Sequence, residues 1–277
     1  MRMTLTIAAA LAMIACGTAV AQEAEAPAAV EETVEAAEQV QPAQAGERVE
    51  EDLIALYRFD NVVEGTVIPD ATQDFGGLDL VIQGAIAGSP VEVRDNAVQF
   101  AAPELTQVPG LFSSGPATDI VNAIRAAGQL TVEAWITPAS AELTGPARIV
   151  SISRSWNERN ITLGQEGDTY QLRLRTSGDQ EGTPFIQAPE GMLRVNELQH
   201  VAVTFDGQYR TIYLDGEPVA ESADNGGTLD NWDETMLLVI GNETDGDRRW
   251  LGSVHLVALY ASALSPEEIV ANFEAGL

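Results

Sequence analysis

The sequence predicts an all-β protein, a sandwich of two antiparallel sheets with a short C-terminal helix. Three observations carry that prediction. Short apolar runs alternate with period two, they recur at regular spacing between Gly- and Asp-rich turns, and sustained helical periodicity is confined to the C-terminus. The clearest alternation lies at 200–216. There Val201, Val203 and Phe205 share one face while Ala202 and Thr204 take the other, as a half-buried strand requires. Asp206 and Gly207 supply a tight turn. Ile212 and Leu214 then resume the inward pattern with Tyr213 opposite, and Asp215 and Gly216 close the strand.

The remaining elements follow in order. Ile54 and Leu56 open the folded part, and Leu78 to Ile82 and Val98 to Phe100 read as strands. Residues 117–127 predict a short helix with Thr118 or Asp119 as its cap and Gly128 as its stop. Leu130 to Ile136, Arg148 to Ser153, Ile161 to Leu163, Tyr170 to Arg175, Met236 to Ile240 and Ser253 to Tyr260 are further strands. The closing helix spans Pro266 to Glu274. Ser265 stands at its N-cap, Pro266 at the first helical position and Glu268 at the third, the pattern of a capping box. Ile269, Val270 and Phe273 form its apolar face.

Domain organisation is read from composition. Arg2, the apolar run Leu5 to Ala15 and the small residues Ala19 and Ala21 make residues 1–21 a signal peptide, too short in its apolar part to span a bilayer. Export to the periplasm, the cell surface or the medium is therefore expected. The lone cysteine, Cys16, offers the alternative of lipoprotein processing and a lipid anchor. Residues 22–52 hold ten acids against Arg48 alone, with no aromatic residue, and read as an acidic disordered linker. Residues 53–277 form one domain, a size common for a β-sandwich. The net charge is −28, and all fourteen basic residues are arginine. Such a chain repels phosphate backbones, so nucleic acid is excluded as a partner, and without lysine there is neither Schiff-base chemistry nor a P-loop.

Four segments carry a resemblance. The strings QHVAVTFDG at 199–207 and IYLDGE at 212–217, LYRFD at 56–60, LTVEAWI at 130–136, and the stretch from Leu251 through Tyr260 to ALSPEEI at 263–269 are similar to laminin-G-like domains of the concanavalin-A-like lectin and glucanase superfamily. The resemblance implies a jelly roll and leaves function open among lectins, adhesion modules and glycan-degrading enzymes. It also implies that His200 and Trp250 are structural. Laminin-G-like domains often hold calcium. Asp60 and Asp70 stand where such a site draws its early acids, but His255 replaces an acid expected later, so calcium is left open as a cofactor.

Candidate chemistry is sparse. Retaining glycoside hydrolysis needs two carboxylates about 5 Å apart, and no strand carries the spacing for it. Glu166 and Asp168 flank a turn glycine and share no face. No nucleophile elbow accompanies either histidine, so the chain reads as non-catalytic. Arg173 and Arg175, with Gln171, share a strand face of the kind a glycan lyase uses, and read first as a solvated sheet face. Trp135, on an alternating strand, reads as packing. Trp156 and Trp232 fall in polar loops, where an aromatic face can stack on a sugar ring. Arg154, Asn157 and Arg159 beside the first, and Asp230 and Asp233 beside the second, would orient it. The expected partner is thus a glycan, with a cell-surface protein as the alternative.

Overall fold

The computed structural model describes residues 46–59, 67–72, 77–83, 91–94, 96–101, 110–178, 185–224 and 226–277. The leader, Cys16, most of the linker and Asp60 lie outside the described residues. The strands are β1 (Leu53–Arg58), β2 (Val67–Ile68), β3 (Leu80–Gln83), β4 (Val91–Arg94), β5 (Ala97–Phe100), β6 (Gly110–Ser113), β7 (Leu130–Pro138), β8 (Ala147–Ser153), β9 (Arg159–Glu166), β10 (Thr169–Leu174), β11 (Ile186–Gln187), β12 (Gln199–Phe205), β13 (Tyr209–Leu214), β14 (Glu217–Ala223), β15 (Leu237–Ile240) and β16 (Gly252–Tyr260). The helices are α1 (Thr118–Ala127) and α2 (Pro266–Ala275). They form two antiparallel sheets, as the alternation predicts. Sheet A is ordered β14-β13-β12-β7-β16-β5-β4, with β1 sharing with β5 the edge of β16 that faces away from β7. Sheet B is ordered β11-β10-β9-β8-β15-β6-β3-β2.

The core lies between the sheets. Val201, Val203, Phe205, Ile212 and Leu214 of sheet A meet Ile152, Ile161, Leu163, Leu172 and Leu238 of sheet B in one buried cluster. The β12–β13 register is as the turn chemistry dictates, with Val203 opposite Ile212. Asp206 Oδ1 accepts from the backbone N–H groups of Gln208 and Tyr209 at 2.7 and 2.6 Å and closes that hairpin. At the next turn Asp215 and Gly216 both have positive φ, 50° and 85°, which suits the two-residue connection from β13 to β14.

Both helices form, with adjusted ends. Ser265 Oγ accepts from the Glu268 N–H at 3.3 Å and Glu268 Oε2 accepts from the Ser265 N–H at 2.7 Å, completing the capping box. Val270, expected on the apolar face of α2, is exposed, while Asn272 is buried. In α1 neither Thr118 nor Asp119 is the cap: Ala117 holds that position without a side-chain bond, and the Thr118 hydroxyl donates to Glu234 O at 3.1 Å. Gly128 stops the helix in the left-handed region as expected.

Sheet A is buried on its outer face too. There Trp135, Leu56, Ala202, Tyr213, Leu256, Tyr260 and Ile269 form a second apolar cluster with Val49. Trp135 stacks on Phe273 of α2 at 5.8 Å between ring centroids, so it packs under the helix rather than between the sheets. In the midst of this cluster lies a carboxylate. Glu133, fully buried on β7, takes Arg48 Nη1 at 2.6 Å, His200 Nε2 at 3.1 Å and Asn272 Nδ2 at 2.8 Å. Asn272 Oδ1 in turn accepts from the Val49 N–H at 2.8 Å, and Tyr260 OH donates to Val49 O at 3.1 Å. Arg48 and Val49, inside the stretch that composition reads as linker, are thus packed onto the domain.

Burial pushes the Glu133 carboxyl up, but His200 and Arg48 outweigh it and hold it below the ordinary glutamate range. Its stabilising contribution is therefore complete above the unfolded value of about 4.3 and is lost as pH falls through the lower folded value. Glu133→Gln keeps the shape but leaves Arg48 and His200 facing a neutral amide. It is expected to cost about 3–5 kcal/mol in urea unfolding at pH 7, and to flatten the loss of stability expected of the wild-type protein as pH falls below about 4.3. Ser265→Ala removes one half of the capping box and is expected to lower stability by about 1 kcal/mol in the same measurement.

Candidate ligand-binding face

With both faces of sheet A covered, the outer face of sheet B is where polar side chains gather. On successive rungs of β8, β9 and β10 stand Arg148, Gly164 and Gln171, then Ser151, Thr162 and Arg173. Alternation puts these opposite to Ile152, Ile161 and Leu172, which enter the core. The rungs are joined laterally: Ser151 and Thr162 hydroxyls lie 2.8 Å apart, and Arg173 Nε donates to Gln171 Oε1 at 3.0 Å. Gln171 Nε2 reaches Gln187 Oε1 on β11 at 2.8 Å.

The loop between β8 and β9 folds over one end of this face and carries Trp156, whose side chain is half exposed at 48%. Its main chain is held from three directions. The Trp156 N–H donates to Asp245 Oδ2 at 3.1 Å, and its carbonyl accepts from Arg148 Nη2 at 3.1 Å and from Arg159 Nη2. Arg248, from the loop between β15 and β16, lies with its guanidinium carbon 5.6 Å from the centre of the indole. Arg148 is fixed by Glu243, with Nε to Oε2 at 3.1 Å, and Glu243 Oε1 accepts from Ser153 Oγ at 2.6 Å. On β10 of the same face Arg173 lies 5.3 Å from the ring centre of Phe185, which is 44% exposed.

The electrostatics are unusual for so acidic a chain. Burial, followed by the positive charges of Arg148 and Arg173, pushes the Arg159 guanidinium down to about 10. Arg148 and Arg173 are lowered as well. Burial is the main cause for both, opposed by Glu243 at Arg148 and by Glu166 at Arg173, with Arg248 adding repulsion to each. Four guanidiniums therefore sense one another across this face.

The residues singled out from sequence divide. Trp156 and Arg159 belong to the face. Arg154 sits at its edge, with Nη2 2.8 Å from Asp233 Oδ2 and 2.7 Å from Thr235 Oγ1, which ties the 154–158 loop to the 230–235 loop. Asn157 is exposed and its Oδ1 accepts from Ser155 Oγ at 2.7 Å. Asp230 is exposed and accepts from Thr228 Oγ1 at 2.8 Å. Asp233 is held below its usual range by hydrogen bonds from Thr235 and by Arg154. Trp232 is a correction to the sequence reading: at 3% exposure it is core, and its indole N–H donates to Arg175 O at 2.7 Å. The loop turns inward at this position because its neighbours are pinned, Asn231 Nδ2 to Thr176 O and the Asp233 N–H to Asn160 Oδ1, both at 2.9 Å. Trp250 is buried against Phe100 as the resemblance implies, and His255, the extra residue of a bulge in β16, contacts Thr137 Oγ1 at 3.0 Å. The face also contains residues that sequence reading passes over, namely Arg148, Phe185, Glu243 and Arg248. Only a basic pair in a turn, Arg248 with Arg249, was available as a signal, and nothing in it points to Trp156.

Asp70 does not fit a calcium ion. It is buried, and its Oδ1 already accepts from the N–H groups of Leu56 and Thr72 and from Thr72 Oγ1, each at 3.0 Å. Among the described residues no group of three His, Cys, Asp or Glu residues converges in the way a metal needs. Asp70 instead ties β1, at Leu56, to the turn that follows β2. No helix among the described residues is long and apolar enough to cross a membrane.

Solved structures share the fold at low identity. A Trypanosoma rangeli sialidase in complex with sialic acid has a TM-score of 0.57 and 16% identity, over 81% of this chain and 33% of the sialidase. The binding domain of botulinum neurotoxin DC in complex with rat synaptotagmin II has a TM-score of 0.61 and 12% identity, over 81% of this chain and 51% of the toxin domain. The chain thus spans about a third of the first and half of the second, and these likenesses establish architecture. Comparison with curated proteins gives no match. The Laminin_G_3 family model, described as the concanavalin A-like lectin/glucanases superfamily, matches residues 113–270, more than half of the sequence and all of the strands that build the face, and the chain belongs to that family.

Proposed function

We propose that the chain is an exported, non-catalytic carbohydrate-binding module that meets its ligand at Trp156 on the outer face of sheet B. The observation that carries this reading is the state of that one indole. Trp135, Trp232 and Trp250 are buried, whereas Trp156 is exposed on a loop whose backbone is bound by Asp245, Arg148 and Arg159. An aromatic ring fixed before the ligand arrives loses little conformational freedom on stacking against the apolar side of a pyranose. The half-buried guanidiniums of Arg173 and Arg248 lie on the same face and offer donors to sugar hydroxyls. Membership of a superfamily whose description names lectins and glucanases supports the same reading, and the predicted leader supplies the route out of the cytoplasm.

Titration of the full chain against a polysaccharide panel tests the proposal. Trp156→Ala is expected to weaken binding at least about tenfold, equivalent to about 1.4 kcal/mol, with thermal stability unchanged within about 0.5 kcal/mol. Trp232→Ala is expected to do the reverse by lowering stability by about 3–5 kcal/mol. Equal binding by the wild-type protein and Trp156→Ala would remove this face from consideration.

A further inference from the structure

The arginines of this face give it a chemical preference. Of the fourteen basic residues in a chain of net charge −28, four converge on a single sheet surface. The acids that answer them are few. Glu243 is committed to Arg148, and Glu166, whose Oε2 accepts from the Gly145 N–H at 2.9 Å, acts on Arg173 from a distance. Arg173 and Arg248, the two that solvent reaches, form no salt bridge among the described residues: their polar contacts are the amide oxygen of Gln171 and the backbone carbonyl of Asp247, the latter at 3.1 Å. Arg248 Nε is buried with no hydrogen-bond acceptor. Each of these two guanidiniums lies against an exposed ring, Trp156 for Arg248 and Phe185 for Arg173.

A structural role alone does not explain this pattern. Guanidiniums recruited to stabilise a fold are matched with carboxylates, as Arg148 is with Glu243 and Arg48 with Glu133. Arg173 and Arg248 are not so matched among the described residues, and the charge of Arg248 bears on both Arg173 and Arg148. A planar fork of donors matches carboxylate and sulfate oxygens, and the neighbouring rings match the apolar side of the sugar that bears them.

Resting on the carbohydrate-binding reading above, the geometry points to an anionic glycan as the ligand, with Arg173 and Arg248 receiving a uronate carboxylate or a sulfate ester beside Trp156 and Phe185. The rest of the protein is strongly negative, but at 0.15 M salt its repulsion is screened beyond about 8 Å, so the local cluster decides the contact.

The test uses matched pairs of polymers at 0.15 M salt: polygalacturonate against its methyl ester, and dextran sulfate against dextran. The full chain is expected to bind the charged member of at least one pair at least about tenfold more tightly, and the pair that responds identifies carboxylate or sulfate. Arg173→Ala and Arg248→Ala should each weaken that binding by about ten- to a hundredfold. Arg58→Ala, which makes the same change in net charge on β1 of sheet A, should not. Arg173→Lys, keeping the charge and losing the fork, should fall between. Equal loss in Arg58→Ala would assign the effect to overall charge and overturn the inference. Binding of the neutral polymers that depends on Trp156 but not on Arg173 or Arg248 would overturn it while leaving carbohydrate binding intact. Binding of neither class would overturn both.

Discussion

The architecture depends on a carboxylate buried where none is normally tolerated. Glu133 sits in an apolar cluster on the outer face of sheet A, and its charge is kept only because Arg48, His200 and Asn272 converge on it from the N-terminal approach, from β12 and from α2. Desolvating a carboxylate is costly unless partners of this kind surround it. The same constraint brings the two ends of the domain together across one sheet, since Arg48 also donates to Gly276 O at 2.8 Å. The consequence for function is one of exclusion. Once α2 and the 48–49 segment lie across sheet A, the polar face left open is that of sheet B, where the proposed contact is placed.

Sheet B solves a different problem with similar means. Arg148 is also fully buried, but its partner Glu243 arrives from a loop rather than a strand, and its remaining donors go to the carbonyls of Pro146 and Trp156. One side chain thereby sets the height of the Trp156 loop above the sheet. Arg159 repeats the contact from the other side of that loop. The exposed indole is therefore positioned by charges beneath it, and the residues that present the ring are among those that make the face positive.

How much of this was legible in the sequence follows from the range of each interaction. The hairpin at 200–216, the capping box at Ser265 and the stop at Gly128 depend on residues within a few positions of one another, and each formed as read. Period-two alternation likewise sorted Val201 and Phe205 from Thr204. Sequence reading also picked out Trp156, because an aromatic among polar loop residues is a local signal. It misplaced Trp232 for the same reason: the loop looks polar, and only long-range bonds to Asn160, Arg175 and Thr176 show that it folds inward. Arg173 reads as a solvated charge from sequence, because the residues that meet it in the structure are remote in the chain: its guanidinium lies over Phe185, and it senses the charge of Arg248, 75 positions away. Arg48 was invisible in a stretch whose composition suggests only disorder, since its partner Glu133 lies 85 residues downstream.

One quieter feature bears on how the molecule keeps company with its own copies. β14 is the terminal strand of sheet A, and it meets β13 with a register break at Tyr213, where Pro218 stands opposite. Pro218 offers no amide proton, Glu217 and Glu221 place charge along the rim, and the break bends the strand away from flatness. A neighbour that tried to extend the ladder there would find a missing donor and like charge. At this edge, self-avoidance is written into the border strand rather than into the core.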